Sequence, residues 1–206
     1  MENLAGRLFL FKPVLFFTLL LFLTGKVAGQ ISQVLIPSDI VVQHAGSIGY
    51  FSVGAGYELF KNKRGTLDFH YGHVPEGKGG SLHILSAKFA YRPFEVKVNE
   101  HVSVYPFNPG AFVSYHFGKA FDFYWDKSQY EDGYYWWSSA IRPHLSVSNE
   151  VKLTGQKLLR SLRVKAMTIY SEFNTNELYL VSFYQNPGDL ALTDIIKIGL
   201  GVRLKF

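Results

Sequence analysis

Hydrophobic and polar residues alternate with a period of two along most of the chain beyond residue 30. The clearest example is the final segment, in which Ile198, Leu200 and Val202 alternate with small or charged residues such as Lys197 and Arg203. Because successive side chains of a β-strand point to opposite faces, this pattern predicts strands with one apolar face and one small or polar face. No segment shows a sustained period of 3.6 residues, so the pattern predicts an all-β fold.

An antiparallel barrel in lipid needs apolar side chains outside and polar side chains inside, with about ten residues per crossing. In a water-soluble barrel the aromatic side chains of the same strands would have to fill the interior, and they would overfill a narrow one. The sequence therefore predicts a transmembrane antiparallel up-and-down β-barrel of about eight strands. The predicted strands are 38–45, 47–60, 66–74, 81–92, 101–117, 137–153, 162–185 and 193–206.

The topology of the predicted barrel follows from its even number of strands. Bacterial single-chain barrels have short periplasmic turns and longer outer loops. With a periplasmic N-terminus, the predicted inner turns are 61–65, 93–100 and 154–159, and the predicted outer loops are 75–80, 118–136 and 185–193. An alternative arrangement splits the segment 162–185 at 174–176 and excludes 38–45, which again makes eight strands.

Three prolines interrupt two of the predicted strands. Pro106 and Pro109 lie in the strand 101–117, and Pro143 lies in the strand 137–153. A closed barrel has no free edge at which a missing backbone donor is tolerated. We therefore expect bulges at these prolines, or strand ends displaced above the membrane.

Residues 1–29 have the three parts of a cleavable signal peptide. Arg7 and Lys12 form a positive segment, residues 13–23 form an apolar segment, and Val27-Ala28-Gly29 precedes the expected cleavage site. Only 13 uncharged residues separate Lys12 from Lys26, too few to cross a bilayer as a helix. The predicted organisation is a signal peptide at 1–29 and a single outer-membrane barrel domain at 30–206.

Composition narrows the function classes. The 206-residue chain has no Cys, which excludes disulfides, Cys-ligated zinc and a thiol nucleophile. Aromatic residues make up 17% of the chain, which argues against disorder. The formal net charge of +5 is weak and scattered, so nucleic acid is not expected as a partner. No cofactor is expected, and no metal either, because His70 and His73 would point to opposite faces of one strand, away from a shared site with His83.

The inward faces of the predicted strands carry charges of both signs. The interior of an eight-stranded barrel is just wide enough for side chains to fill, and buried charges must pair. We therefore expect a plug of ion pairs and hydrogen bonds, with a narrow channel as an alternative. The predicted lumen network consists of Glu58, Asp68, His70, Lys88, Arg92, His116, Arg142, His144, Glu150, Lys197 and Arg203.

One strand carries weak candidates for catalysis. Period two places His144, Ser146 and Glu150 on one face, so a base, a nucleophile and a carboxylate share a surface. The segment faintly resembles the His-x-Ser strand of outer-membrane lipid A deacylases. In that family Asn follows Ser directly, whereas here two residues come between Ser146 and Asn149, and the family's site faces lipid. A lipid A-modifying hydrolase is therefore kept as an alternative, and no catalytic residue is expected.

The predicted outer loop is unusually aromatic. The segment 122–137 contains eight aromatic residues and four acids, a combination that can stack on sugar rings and accept hydrogen bonds from their hydroxyl groups. Trp136 and Trp137, next to the strand, are expected to belong to the aromatic girdle at the membrane interface. The candidate surface residues are Tyr124, Trp125, Tyr130, Tyr134 and Tyr135.

With its signal peptide, alternating strands and terminal Phe206, the chain from about 38 to 206 resembles small outer-membrane β-barrel proteins of Gram-negative bacteria. The stretches 43–57, 71–75 and 79–80 are similar to a subgroup that brings no known catalytic residues. The resemblance implies a monomer in the outer membrane, in contact with lipid and lipopolysaccharide. It also implies that the barrel assembly machinery reads Phe206. The expected function is a non-enzymatic structural or surface-interaction role in the envelope.

Overall fold

A computed structural model describes residues 36–78, 80–118, 138–155, 159, 161, 163–186 and 188–206. In this part of the chain, nine strands form one antiparallel sheet, and eight of them close into a barrel. The strands are β1 (Asp39–Ala45), β2 (Phe51–Leu59), β3 (Gly65–Val74), β4 (Leu82–Tyr91), β5 (Val96–Asn99), β6 (Val102–Phe117), β7 (Ile141–Thr154), β8 (Ala166–Asn176) and β9 (Lys197–Lys205). The helical segments are a 3-10 turn (Glu76–Lys78), α1 (Glu177–Gln185) and α2 (Leu192–Ile195).

The barrel strands follow one another in sequence order around the ring. Each pairs antiparallel with the next, β4 pairs with β6, and β1 pairs with β9 to close the barrel. The remaining strand, β5, is not part of the closed ring. It is short and pairs only with the start of β6. The prediction of an all-β, eight-stranded antiparallel barrel is thus confirmed. The alternative that excluded 38–45 is wrong, because β1 is the strand that links β2 to β9.

Two strands are shorter than the sequence predicts. The expected strand 162–185 ends at Asn176 and continues as α1, and the expected strand 193–206 begins only after α2. The Asn176 side chain accepts a hydrogen bond from the backbone N–H of Tyr179 at 2.9 Å and so caps the helix. Apolar residues occur on nearly every face of α1, which is why the sequence has no amphipathic period to reveal the helix.

A tight turn replaces the first part of the expected strand 47–60. β2 begins at Phe51, and Ala45, Gly46 and Ser47 adopt left-handed backbone conformations with φ of 61°, 76° and 66°. Ala45 is the last residue of β1, and the left-handed residues that begin there end the strand and reverse the chain. The predicted inner turn 93–100 is more than a turn, since it contains the short strand β5.

The prolines lie where the sheet tolerates a missing donor. The register between β6 and β7 shifts between Tyr105 and Asn108, so Pro106 sits in a bulge. Pro143 comes just before His144, the first residue of β7 that pairs with β8. Pro109 pairs with Val147 of β7 but lies outside the pairing of β6 with β4, which ends at Gly110. The three positions agree with the expectation of bulges or displaced strand ends.

The barrel has a polar inside and an apolar outside. Its most deeply buried side chains include Gln43, Ser52, Asn108 and Ser114, whereas large apolar side chains of the strands are exposed. In the part of the chain that the structure describes, no helix is both long and apolar enough to span a bilayer. The predicted signal peptide at 1–29 lies outside the described residues.

Candidate functional site

The centre of the barrel is held by a bidentate ion pair between β3 and β9. Both Nη atoms of Arg203 donate to the Asp68 carboxylate, at 2.8 and 2.6 Å, and Asp39 lies 3.7 Å away on β1. All three residues are buried. Gly56 on β2 leaves the space they need, because a Cβ there would lie 2.5 Å from Arg203 Nη1. Two buried carboxylates therefore share one buried guanidinium.

Two further ion pairs fill the middle of the lumen. The Lys88 ammonium lies 2.7 Å from Glu172 Oε2 and donates to Gln43 Oε1 at 2.7 Å. Arg92 Nε donates to Glu150 Oε2 at 2.8 Å. The partners come from strands that are not neighbours in the sheet, so the charges are paired across the lumen as their burial demands.

The two ends of the lumen each carry an ion pair. Lys205 contacts Glu58 at the end that holds the turn between β2 and β3, and Arg142 Nη1 donates to Glu177 Oε1 at 2.8 Å at the end that holds α1. His116 lies near the α1 end, 3.4 Å from the Ser114 hydroxyl. Lys197 opens β9 at the same end and contacts the Asp194 carbonyl oxygen at 3.5 Å. The polar network thus runs along the whole length of the barrel.

Several members of this network were not among the predicted residues. Glu172 and Tyr170 alternate inward on β8, so parity within the predicted strand 162–185 could have found them. Glu177 could not be found in that way because it belongs to α1, which follows the strand. The missed residues with ion pairs or buried hydrogen bonds include Asp39, Gln43, Tyr170, Glu172, Glu177 and Lys205.

The space left at the centre of the described barrel is very small. A cavity of about 20 Å³ lies among Asp68, Lys88, Glu150 and Arg203. A single water needs roughly 10–15 Å³ of such space, so the cavity has room for about one molecule. At this level of the described barrel the ion pairs of Lys88, Glu150 and Arg203 occupy most of the lumen.

We expect no single-channel steps when the purified barrel is reconstituted into a planar bilayer, because paired side chains close the lumen. The measurement is current at fixed voltage, with a general-diffusion porin reconstituted in parallel as the positive control. Discrete, reproducible current steps from a preparation shown to be free of contaminating porin would contradict the closed lumen. They would restore the narrow channel as a function.

The weak catalytic candidates are not brought together. His144 Nε2 lies 3.0 Å from the Ser114 hydroxyl, and its ring stacks on Phe112 at 4.1 Å between centroids. Glu150 is bound to Arg92 instead. Six residues of strand separate Glu150 from His144, or about 20 Å at the usual rise per residue. No acid–base–nucleophile chain therefore links His144, Ser146 and Glu150.

The histidines considered for a metal are divided between the two faces of the barrel wall. His70 points inward, 3.4 Å from the Ser52 hydroxyl. His73 and His83 pair across β3 and β4 with stacked rings 4.7 Å apart, and Tyr71 Oη lies 2.6 Å from His83 Nδ1. Within the described ranges, no group of three or more acidic or histidine side chains could hold a metal ion.

Comparisons with protein-family models, with curated proteins and with solved structures found no match. The candidate surface aromatics Tyr124, Trp125, Tyr130, Tyr134 and Tyr135 lie outside the described residues.

Proposed function

We propose that this chain is an integral outer-membrane β-barrel protein with a non-enzymatic structural or surface-interaction role in the envelope. The observation that carries the proposal is the reversed distribution of side chains, with charges buried and large apolar groups exposed. Monomeric soluble proteins rarely expose apolar patches beyond a few hundred Å². A wall of this kind is stable where lipid covers it. Its exposed residues include Phe51, Val53, Phe69, Leu85, Leu145, Ile169, Ile198 and Leu200.

Strand length supports a membrane-spanning wall. A tilted strand of about 9–11 residues crosses the hydrocarbon core, and β3 and β4 have ten residues each. The strands β6 and β7 are longer, with 16 and 14 residues, so they extend beyond the lipid. These lengths match a barrel whose outer and inner rims stand in water.

Aromatic side chains lie near both rims, where membrane barrels carry aromatic girdles. At the inner rim, Phe60 packs edge-on against Phe89 and Tyr91. Near the outer rim, Tyr115 and Phe117 pack edge-on with centroids 4.8 Å apart. Aromatic side chains at both ends of the strands support the same placement of the barrel in a bilayer.

The expected partners follow from this placement. Outer-membrane lipid and lipopolysaccharide would cover the apolar wall, and the barrel assembly machinery would read Phe206. The backbone N–H of Phe206 donates to the Ser38 carbonyl at 3.2 Å, and its side chain is half-exposed. The proposal includes export by the signal peptide at 1–29 and a monomeric barrel, with no nucleic acid.

The proposal is tested by finding on which side of the membrane single introduced cysteines can be labelled. Because the chain has no Cys of its own, any label must come from the introduced thiol. Asp189→Cys places a thiol in the loop between α1 and α2, and Lys61→Cys places one in the turn between β2 and β3. In intact Gram-negative cells, a membrane-impermeant maleimide should label Asp189→Cys. Lys61→Cys should be labelled only after the outer membrane is breached.

Both positions are exposed, so the two variants differ in side and not in accessibility. Labelling of Lys61→Cys alone in intact cells would show that the topology is the opposite of the one proposed. Protection of both thiols until permeabilisation would place the barrel elsewhere than in the outer membrane. Either result would contradict the proposal.

A further inference from the structure

The outer mouth of the barrel contains a cavity of about 480 Å³. The turn between β1 and β2, the 3-10 turn before β4 and the start of α1 surround it. Its volume lies within the range of small-molecule sites, roughly 300–1,000 Å³. The side chains that matter for recognition are Tyr50, Lys78, His116, His144, Tyr179 and Lys197.

The lining carries positive charge without a compensating acid. Lys78 and Lys197 form no ion pair with any residue that the structure describes, and no carboxylate lines the cavity. The nearby carboxylate of Glu177 is bound to Arg142. Two ammonium groups on one partly enclosed cavity raise its potential and favour an anion between them.

The turn between β1 and β2 adds backbone donors to the same lining. Gly46 and Ser47 line the cavity in left-handed conformations, and their N–H groups donate no hydrogen bond within the described ranges. Successive backbone N–H groups in such turns form anion-binding concavities. The turn is held in place because Asn174 Nδ2 donates to the Gly46 carbonyl at 3.0 Å, and Gln43 Nε2 donates to the Ala45 carbonyl at 3.1 Å.

The remaining lining fits the body of a polyol. Each lysine lies over a tyrosine ring, with Lys78 Nζ 5.5 Å from the Tyr50 centroid and Lys197 Nζ 4.9 Å from the Tyr179 centroid. The tyrosine hydroxyls and the Asn176 amide can hydrogen-bond to hydroxyl groups. The cavity is also much larger than a lone phosphate needs.

We propose that this mouth cavity binds a phosphorylated sugar, with the phosphate between Lys78 and Lys197 and the sugar against the tyrosines. The inference rests on the proposed function in one respect: that function places this mouth at the cell surface, where the ligand would arrive. The phosphate accepts charge-assisted hydrogen bonds from both ammonium groups and from the β1–β2 turn. A free sugar phosphate and the phosphorylated sugars of lipopolysaccharide share this chemistry.

The test is calorimetric titration of the full mature chain, refolded in detergent micelles, with glucose 6-phosphate, glucose and inorganic phosphate. Glucose 6-phosphate should bind, and its affinity should fall as salt is raised. Glucose alone and phosphate alone should each bind at least about tenfold more weakly, because each makes only part of the contacts. Equal binding of phosphate and glucose 6-phosphate would overturn the sugar assignment, and absence of binding would overturn the site.

The matched variants are Lys78→Gln with Lys197→Gln, against Lys97→Gln. Lys97 is an exposed lysine on β5 at the opposite end of the barrel. The double variant should bind glucose 6-phosphate at least about tenfold more weakly, since two charge-assisted contacts are lost, and Lys97→Gln should match the native chain. Unchanged affinity in the double variant, with its barrel folded by circular dichroism, would overturn the proposal.

Competition separates the two sources of ligand. Displacement of glucose 6-phosphate by lipopolysaccharide, but not by dephosphorylated lipopolysaccharide, would assign the lipid headgroup. Binding that lipopolysaccharide leaves unchanged would assign a soluble sugar phosphate. The proposed membrane topology is measured independently at Asp189→Cys, so loss of binding with normal surface labelling overturns this inference alone.

Discussion

Leu200→Arg should fail to assemble into the membrane. Leu200 lies near the middle of β9 with 59% of its surface exposed on the outer wall. A lipid-facing cation near the bilayer midplane costs about 2–4 kcal/mol. The free energy of unfolding of the barrel in lipid vesicles, measured by guanidinium titration, should fall by that amount. The heat-modifiable, folded band recovered from outer membranes should be depleted.

Two controls separate charge in lipid from charge in general. Asp189→Arg adds a cation to an exposed loop and should assemble normally. Lys197→Leu changes the opposite face of β9 and should be milder for insertion than Leu200→Arg. Equal assembly defects in Leu200→Arg and Lys197→Leu would show that the assigned facing of β9 is wrong.

Arg203→Met should destabilise the folded barrel by about 3–5 kcal/mol, the usual cost of removing one partner of a buried ion pair. The Arg203 guanidinium contacts Asp68 at 2.6 Å and lies 3.7 Å from Asp39. Without it, the buried carboxylates of Asp39 and Asp68 lose the guanidinium that they share. The measurement is again the free energy of unfolding in vesicles.

The matched variants are Lys97→Met and the double variant Arg203→Met with Asp68→Asn. Lys97→Met removes an exposed cation and should change stability by less than about 0.5 kcal/mol. The double variant should recover part of the loss, because Asp68→Asn removes one of the two uncompensated charges. Similar stability of Arg203→Met and the native chain would mean that the central ion pair contributes nothing to the fold.

The sequence was enough to predict which side chains of each strand point into the barrel and which point outward. Alternation is local, since neighbouring side chains of a strand point to opposite faces whatever the rest of the chain does. For this reason Asp68, Lys88 and Arg203 could be placed on inward faces before any partner was known. The same locality explains the errors, because α1 has apolar residues on most faces and continues β8 without a change in hydrophobicity.

The partners of the inward charges could not be predicted, because pairing depends on how strands are staggered around a closed barrel. Arg203 and Asp68 are 135 residues apart in sequence, and Lys88 meets Gln43 across the lumen only after β1 has joined β9. The mouth cavity is decided in the same way, since Lys78 ends the 3-10 turn before β4 and Lys197 begins β9. The sequence by itself determined the strands and their two faces, because these depend on neighbours. The tertiary structure alone decided which charges meet and which remain unpaired, because these depend on register and closure.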